Sequence, residues 1–136
     1  MLTDPQTFKT APTNSTTGGT SNSLSLIKND GLESIYKSSD GTLNMRVAHT
    51  YNTVKNGYAR AQRLVRVEKT ANVTDPVTGL TTSQTFSCHV VINEPVTAPN
   101  TSGAGLFTDQ AIKDVLTGLE AWLDTTMMDK ILTDQH

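Results

Sequence analysis

The sequence predicts an α+β fold, a strand-rich body of antiparallel hairpins followed by two C-terminal helices. Three observations predict it. Apolar and polar side chains alternate with a period of two through three runs between residues 43 and 93. Turn signals at Asn29-Asp30-Gly31, Asp40-Gly41, Asn56-Gly57 and Asp75 to Gly79 separate the runs. Beyond a Pro/Gly-rich connection from Pro95 to Gly105, the apolar period changes to about 3.6 residues. Strands first and helices last is an α+β order, and 136 residues suit a single domain spanning 1–136.

The elements follow in order. Thr7 to Thr10 and Leu24 to Lys28 read as two short strands of an N-terminal hairpin, residues 1–28. Between them, Ala11 to Ser23 has no periodicity and too few apolar groups to offset ordering, so a loop or mobile hairpin tip is expected there. The sheet body occupies residues 34–94. Ser34 to Ser38 is a short strand. In Leu43 to Val54, Leu43, Met45 and Val47 point one way while Asn44, Arg46, Ala48 and Thr50 point the other. In Tyr58 to Thr70, Ala61, Arg63, Val65 and Val67 oppose Arg60, Gln62, Leu64, Arg66 and Glu68. In Thr82 to Asn93, Gln84, Phe86, Cys88, Val90 and Ile92 oppose Thr85, Ser87, His89 and Val91. Sequential strands joined by tight links make an antiparallel meander with one apolar and one polar, basic face.

Residues 108–133 form the helical part. Thr108 is a good N-cap, and Asp109 suits the positive end of a helix dipole. Ile112, Val115, Leu116, Leu119, Trp122 and Leu123 make one apolar stripe. The phase slips at Asp124-Thr125-Thr126, which predicts a second helix carrying Met127, Met128, Ile131 and Leu132. The pattern leaves open whether this stripe covers its own sheet or a partner's.

Composition excludes several functions. The formal charge of −2 excludes a strongly basic, histone-like binder. That total hides an asymmetry. Between residues 46 and 69 stand six basic side chains (Arg46, Lys55, Arg60, Arg63, Arg66, Lys69) and a single acid, Glu68. From Asp109 onward there are six acids and two lysines. A basic middle suits a polyanion and an acidic end suits an outward face. One cysteine, Cys88, excludes a disulfide framework and a thiolate zinc cage; it lies on the apolar face and is expected to be a buried core thiol. Met127 and Met128 read as core filling. His49, His89 and His136 lack metal-ligand spacing, and no phosphate-cradling glycine loop or nucleophile elbow is present. No enzyme, metal or cofactor is expected. No apolar run reaches membrane-spanning length and the N-terminus lacks a secretion signal, so a cytoplasmic protein without membrane contact is expected. A hydrophobic fraction of 35% is low for a self-sufficient monomer, so a partner is expected to complete the core.

From about Leu24 to the end, the chain resembles the coat (capsid) protein of the small, levivirus-like single-stranded RNA bacteriophages. The resemblance rests on the strand RAQRLVRVEKTAN, the loop TDPVTGLTT, the strand SQTFSCHVVINEP and the helical segment TDQAIKDVLTGLEAWLDTTMMDKILTDQ. It implies an N-terminal β-hairpin, a five-stranded antiparallel sheet and two helices. It also implies an intertwined homodimer with a continuous ten-stranded sheet. Such dimers build an icosahedral virion in the bacterial host cytoplasm. The inner sheet face would bind genomic RNA, and an RNA hairpin there would repress translation. On this resemblance the RNA face is Asn44, Arg46, Arg60, Gln62, Leu64, Arg66, Ser87, His89 and Val91. Arg46 and Arg66 are the strongest phosphate candidates because guanidinium is planar and permanently charged; Tyr51 or Tyr58 would stack on an unpaired base. The dimer interface is Ile112, Val115, Leu116, Leu119, Trp122 and Leu123. The loop at the shell's symmetry axes holds Asn72, Asp75, Pro76 and Gly79. Asn44, Arg46 and Leu64 stand where small polar, adenine-reading residues are expected, so the family's sequence preference does not transfer. Two other readings compete, a small cellular RNA-binding module and a β-rich surface or fibre subunit.

Overall fold

The computed structural model describes residues 2, 4–12, 18–53, 57–98 and 104–133. Six strands form one antiparallel sheet in sequence order: β1 (Gln6–Pro12), β2 (Gly18–Asn29), β3 (Glu33–Ser38), β4 (Leu43–Asn52), β5 (Ala59–Thr74) and β6 (Thr81–Val96). Helices α1 (Asp109–Trp122) and α2 (Thr125–Leu132) follow. The architecture is the expected one. The hairpin and the sheet are continuous, so six strands replace a hairpin plus five. Strand β2 pairs with β1 through its first half and with β3 through its second.

The polar segment expected as a loop is largely strand. Phe8 pairs with Asn22 and Thr10 with Thr20. Asn22 Nδ2 donates to the Phe8 carbonyl at 3.1 Å and to Thr10 Oγ1 at 3.2 Å. Main-chain pairing plus this amide holds a strand that burial cannot. The tip, 13–17, lies outside the described residues, as do Val54 and Asn56 of the turn before Gly57.

A bulge between Leu26 and Lys28 reverses the phase of β2. Leu24 and Leu26 share the apolar face, while Lys28 pairs with Ile35 on the polar one. The core gathers at this end: Leu24, Tyr36, Leu43 and Met45 are buried, with Phe8, Leu26, Val47 and Val67 packed against them. The other end of the sheet is open. From Thr81 to Val91 every residue of β6 is exposed.

The helices begin where the sequence places them. Thr108 Oγ1 accepts from the Ala111 N–H at 3.2 Å, and Asp124 Oδ1 accepts from the Met127 N–H at 2.8 Å. Neither helix has a buried residue. Val115 is 73% exposed, Trp122 52% and Leu132 75%. Met128 is exposed and Met127 only half-buried, so neither fills a core within the chain. Cys88 is likewise exposed rather than buried. It sits on the apolar face of an edge strand that its own helices leave bare.

Candidate nucleic-acid interface

The strand registers bring the predicted polar face together. Arg46 pairs with Arg66, and Arg66 with His89. Leu64 pairs with Val91 and Ser87 with Glu68; Glu68 pairs in turn with Asn44. Arg60 and Gln62 continue the row. Directly paired antiparallel residues share a face, so all nine predicted positions lie on one surface. Gln62, Leu64, Arg66, His89 and Val91 line a shallow depression of about 210 Å³. An apolar floor with polar edges suits a planar, hydrogen-bonding ligand.

The registers add residues that the alternation did not single out. Lys28, Glu33 and Lys37 fall on the same face through their pairing with β3 and β4. Glu33 accepts from Arg46 Nε and from Lys28 Nζ, the latter at 3.1 Å; Lys28 also reaches Asp30 at 3.3 Å. The hydrogen bond from Lys28, followed by that from Arg46, holds the Glu33 carboxyl below its ordinary pKa. The same bond raises the Lys28 ammonium above its own. Arg66 Nη2 pairs with Glu68 Oε1 at 2.7 Å. Arg46 and Arg66 are therefore partly committed within the chain, whereas Arg60 is exposed and pairs with no acid among the described residues. Asn44 Oδ1 and Arg66 Nε are shielded from solvent and have no hydrogen-bond partner there. Such orphaned groups are costly unless a ligand satisfies them.

Not every basic residue of the central stretch belongs to this face. Arg63 and Lys69 pair with residues of the apolar face, and Lys55 lies outside the described residues. Tyr51 pairs with Ala61 on that opposite face, so it cannot stack on a base bound among the nine. Tyr58 is exposed just before β5.

The predicted loop at 72–80 is shorter than expected. Asn72 pairs with Ser83, and the strands stay paired to Thr74 and Thr81. Only the turn from 75 to 80 remains. Asp75 Oδ1 accepts from the Val77 and Thr78 N–H groups at 2.7 and 3.2 Å, and Gly79 adopts a positive φ of 69°. Pro76 lies within this turn.

The predicted interface stripe borders a second feature. A groove of about 660 Å³ runs between β6 residues 89–93 and α1, where Ile112, Val115, Leu116, Leu119 and Leu123 line it. Trp122 is exposed outside it. Among the described residues, no cluster of His, Cys, Asp and Glu could hold a metal ion, and no helix is long and apolar enough to cross a membrane.

No protein-family model and no curated protein matches the chain. Solved structures do. The virus-like particle of bacteriophage AVE019 is 15% identical, covering 96% of this chain and 94% of that one, with a TM-score of 0.64. The virus-like particle of Wenzhou levi-like virus 1 is 14% identical over 83% and 91%, with a TM-score of 0.53. The bacteriophage GA protein capsid is 15% identical over 98% of both chains, with a TM-score of 0.52. The chain thus resembles the bacteriophage coat proteins in fold along nearly its whole length.

Proposed function

We propose that this chain is a structural capsid subunit. It dimerises, self-assembles into a shell and binds single-stranded RNA on the polar sheet face. The observation that carries the reading is the incomplete core. Among the described residues, both helices leave their apolar stripes uncovered, and β6 leaves a long strand edge unpaired. Each large apolar side chain buried fully would contribute about 1.5–3 kcal/mol. A second copy supplies that cover if the two β6 edges join and each helical arm crosses the other copy's sheet. The join also removes an open edge that would otherwise invite aggregation.

Arg60, Arg46 and Arg66, with Lys28 and Lys37, give the opposite face an excess of cations over Glu33 and Glu68. This supports phosphate binding, which releases counterions and weakens with salt. The likeness in fold to proteins whose structures are virus-like particles supports the shell. A virion location, assembly in the host cytoplasm and repression through an RNA hairpin follow from the same reading. So do the placing of Asn72, Asp75, Pro76 and Gly79 at symmetry axes and a structural rather than enzymatic role.

The test is light scattering after size exclusion, with the ratio of absorbance at 260 and 280 nm. A particle of many copies carrying nucleic acid is expected. A monomer that binds RNA would overturn the capsid reading in favour of a small RNA-binding module.

A further inference from the structure

Strand β6 states which of its residues can pair with another strand. Asp75 N–H donates to the Leu80 carbonyl at the turn, and the β5–β6 register then runs without a shift to Val96. Even-numbered residues of β6 therefore turn their N–H and C=O groups to β5. Odd-numbered residues turn theirs to the free edge. The far end agrees, because Thr97 N–H donates outward to the Ala104 carbonyl at 2.8 Å and the Pro95 carbonyl accepts from Leu106 N–H at 3.1 Å.

These last two bonds close the edge. Residues 104–106 fold back along Pro95 to Thr97, with Val96 bridged to Gly105. The segment is seated on the Glu94 carboxylate so closely that a Cβ on Gly105 would fall 1.9 Å from Oε1. Among the described residues, the outward groups left without a strand partner are thus those of the seven odd-numbered residues from Thr81 to Asn93.

We propose that segment 104–106 is an edge stop that fixes the register in which two copies of β6 join, with the two-fold axis at Ser87. The proposal rests on the reading that the chain dimerises through β6. A symmetric antiparallel pair in which odd residues exchange both hydrogen bonds has only discrete registers. Centring on Ser87 pairs Thr81 with Asn93 of the second copy and uses all seven outward residues. Sliding one step further, to centre on Cys88, sets Thr81 against Pro95, whose edge is already occupied by Leu106. Sliding the other way leaves Asn93 unpaired. The groove beside residues 89–93 is open to receive the second copy's residues 81–85.

Cross-linking reads the register. In the proposed join, the two Ser87 residues lie directly opposite, with Cα atoms about 5.5 Å apart, within disulfide range. Cys88 lies opposite Phe86 and diagonal to the second Cys88, about 7–8 Å away and too far to bridge. Under mild oxidation, Ser87→Cys in a Cys88→Ser background is expected to convert most of the dimer to a linked species. The unmodified chain is expected to stay mostly unlinked. Linking through Cys88, equal linking of both, or a dimer by mass in which neither links would overturn the register. A monomer by mass would instead overturn the dimer reading beneath it. Gly105→Val in the unmodified chain is expected to dislodge the stop and let Cys88 begin to link; an unchanged pattern would overturn the role of segment 104–106.

Discussion

Gly105 lies directly over Glu94, and the contact leaves no room for a side chain. A Cβ there would stand 1.9 Å from Glu94 Oε1 and 2.7 Å from its carboxyl carbon. Glu94 cannot easily yield, since it is 4% exposed and accepts from Arg63 Nη1 at 2.5 Å. Strand β5, strand β6 and the connection to the helices thus converge on one carboxylate.

Gly105→Ala should therefore cost about 1–3 kcal/mol through overpacking. Glu94→Ala removes the atoms that the new methyl meets. The double variant Glu94→Ala/Gly105→Ala should be more stable than the sum of the two single losses predicts. Urea denaturation of the four proteins measures this coupling, and strict additivity would refute the contact.

Removing Arg63 should be more damaging than neutralising Glu94. Arg63→Ala leaves a buried carboxylate without its donor, at an expected cost of about 1–3 kcal/mol. Glu94→Gln keeps an oxygen acceptor for Arg63 and removes the charge that needs it. Because Arg63 is itself partly exposed, the pair as a whole contributes little, and the asymmetry between the two variants is the quantity to measure by chemical unfolding.

On the polar face, Glu68 competes with RNA for Arg66. Glu68→Gln should tighten binding of a single-stranded oligonucleotide by freeing Arg66 and removing a negative charge. Among the described residues, Arg60 has no such competitor. Arg60→Ala should weaken binding and reduce the slope of log K against log salt by about 0.7, the share of one phosphate contact on a single strand. Fluorescence anisotropy across a salt series checks both, and a Glu68→Gln protein that binds more weakly would refute the competition.

The helix caps should report on association rather than on the sheet. Thr108→Ala and Asp124→Ala each remove an N-cap acceptor, at about 1 kcal/mol. Since neither helix buries a residue against its own sheet, and both copies in a dimer lose the cap, the loss of about 2 kcal/mol per dimer should raise the dimer dissociation constant about thirtyfold. The amide protection of β4 and β5 should stay unchanged. Hydrogen exchange together with analytical dilution separates the two effects.

The sequence carried face and order well and cover poorly. Alternation is a local property, so the side of the sheet on which Arg46, Leu64 and Val91 stand could be read from their own strands. The Thr108 and Asp124 caps were legible for the same reason. Whether a face is covered is a tertiary property. Cys88 alternates like a core residue, yet its strand is at the sheet edge. The ion partners of Arg46 and Arg66 were hidden differently. Glu33 reaches Arg46 only through the β3–β4 register, which the turn at Asp40-Gly41 settles. Gly105 was hidden altogether, since nothing in a Pro/Gly-rich connection marks the glycine that must lie against a carboxylate.

Two turns should loosen together in acid. Asp40 accepts from Ser38 Oγ at 2.5 Å and from the Thr42 N–H at 3.0 Å, which lowers its pKa from 3.8. Asp75 is lowered in the same way, first by the Val77 N–H and then by that of Thr78. A carboxylate whose folded pKa is depressed contributes stability above its unfolded pKa and loses it as pH falls through the folded value. The contribution of both turns should therefore be constant above about pH 5 and decline below about pH 4. Asp75→Asn keeps an acceptor without the titration. Its Val77 and Thr78 amide shifts should become independent of pH, while those around Asp40 still move. Amide NMR from pH 6 to pH 2 reads both turns in one sample, and unchanged Val77 and Thr78 shifts in the unsubstituted protein would refute the role given to Asp75.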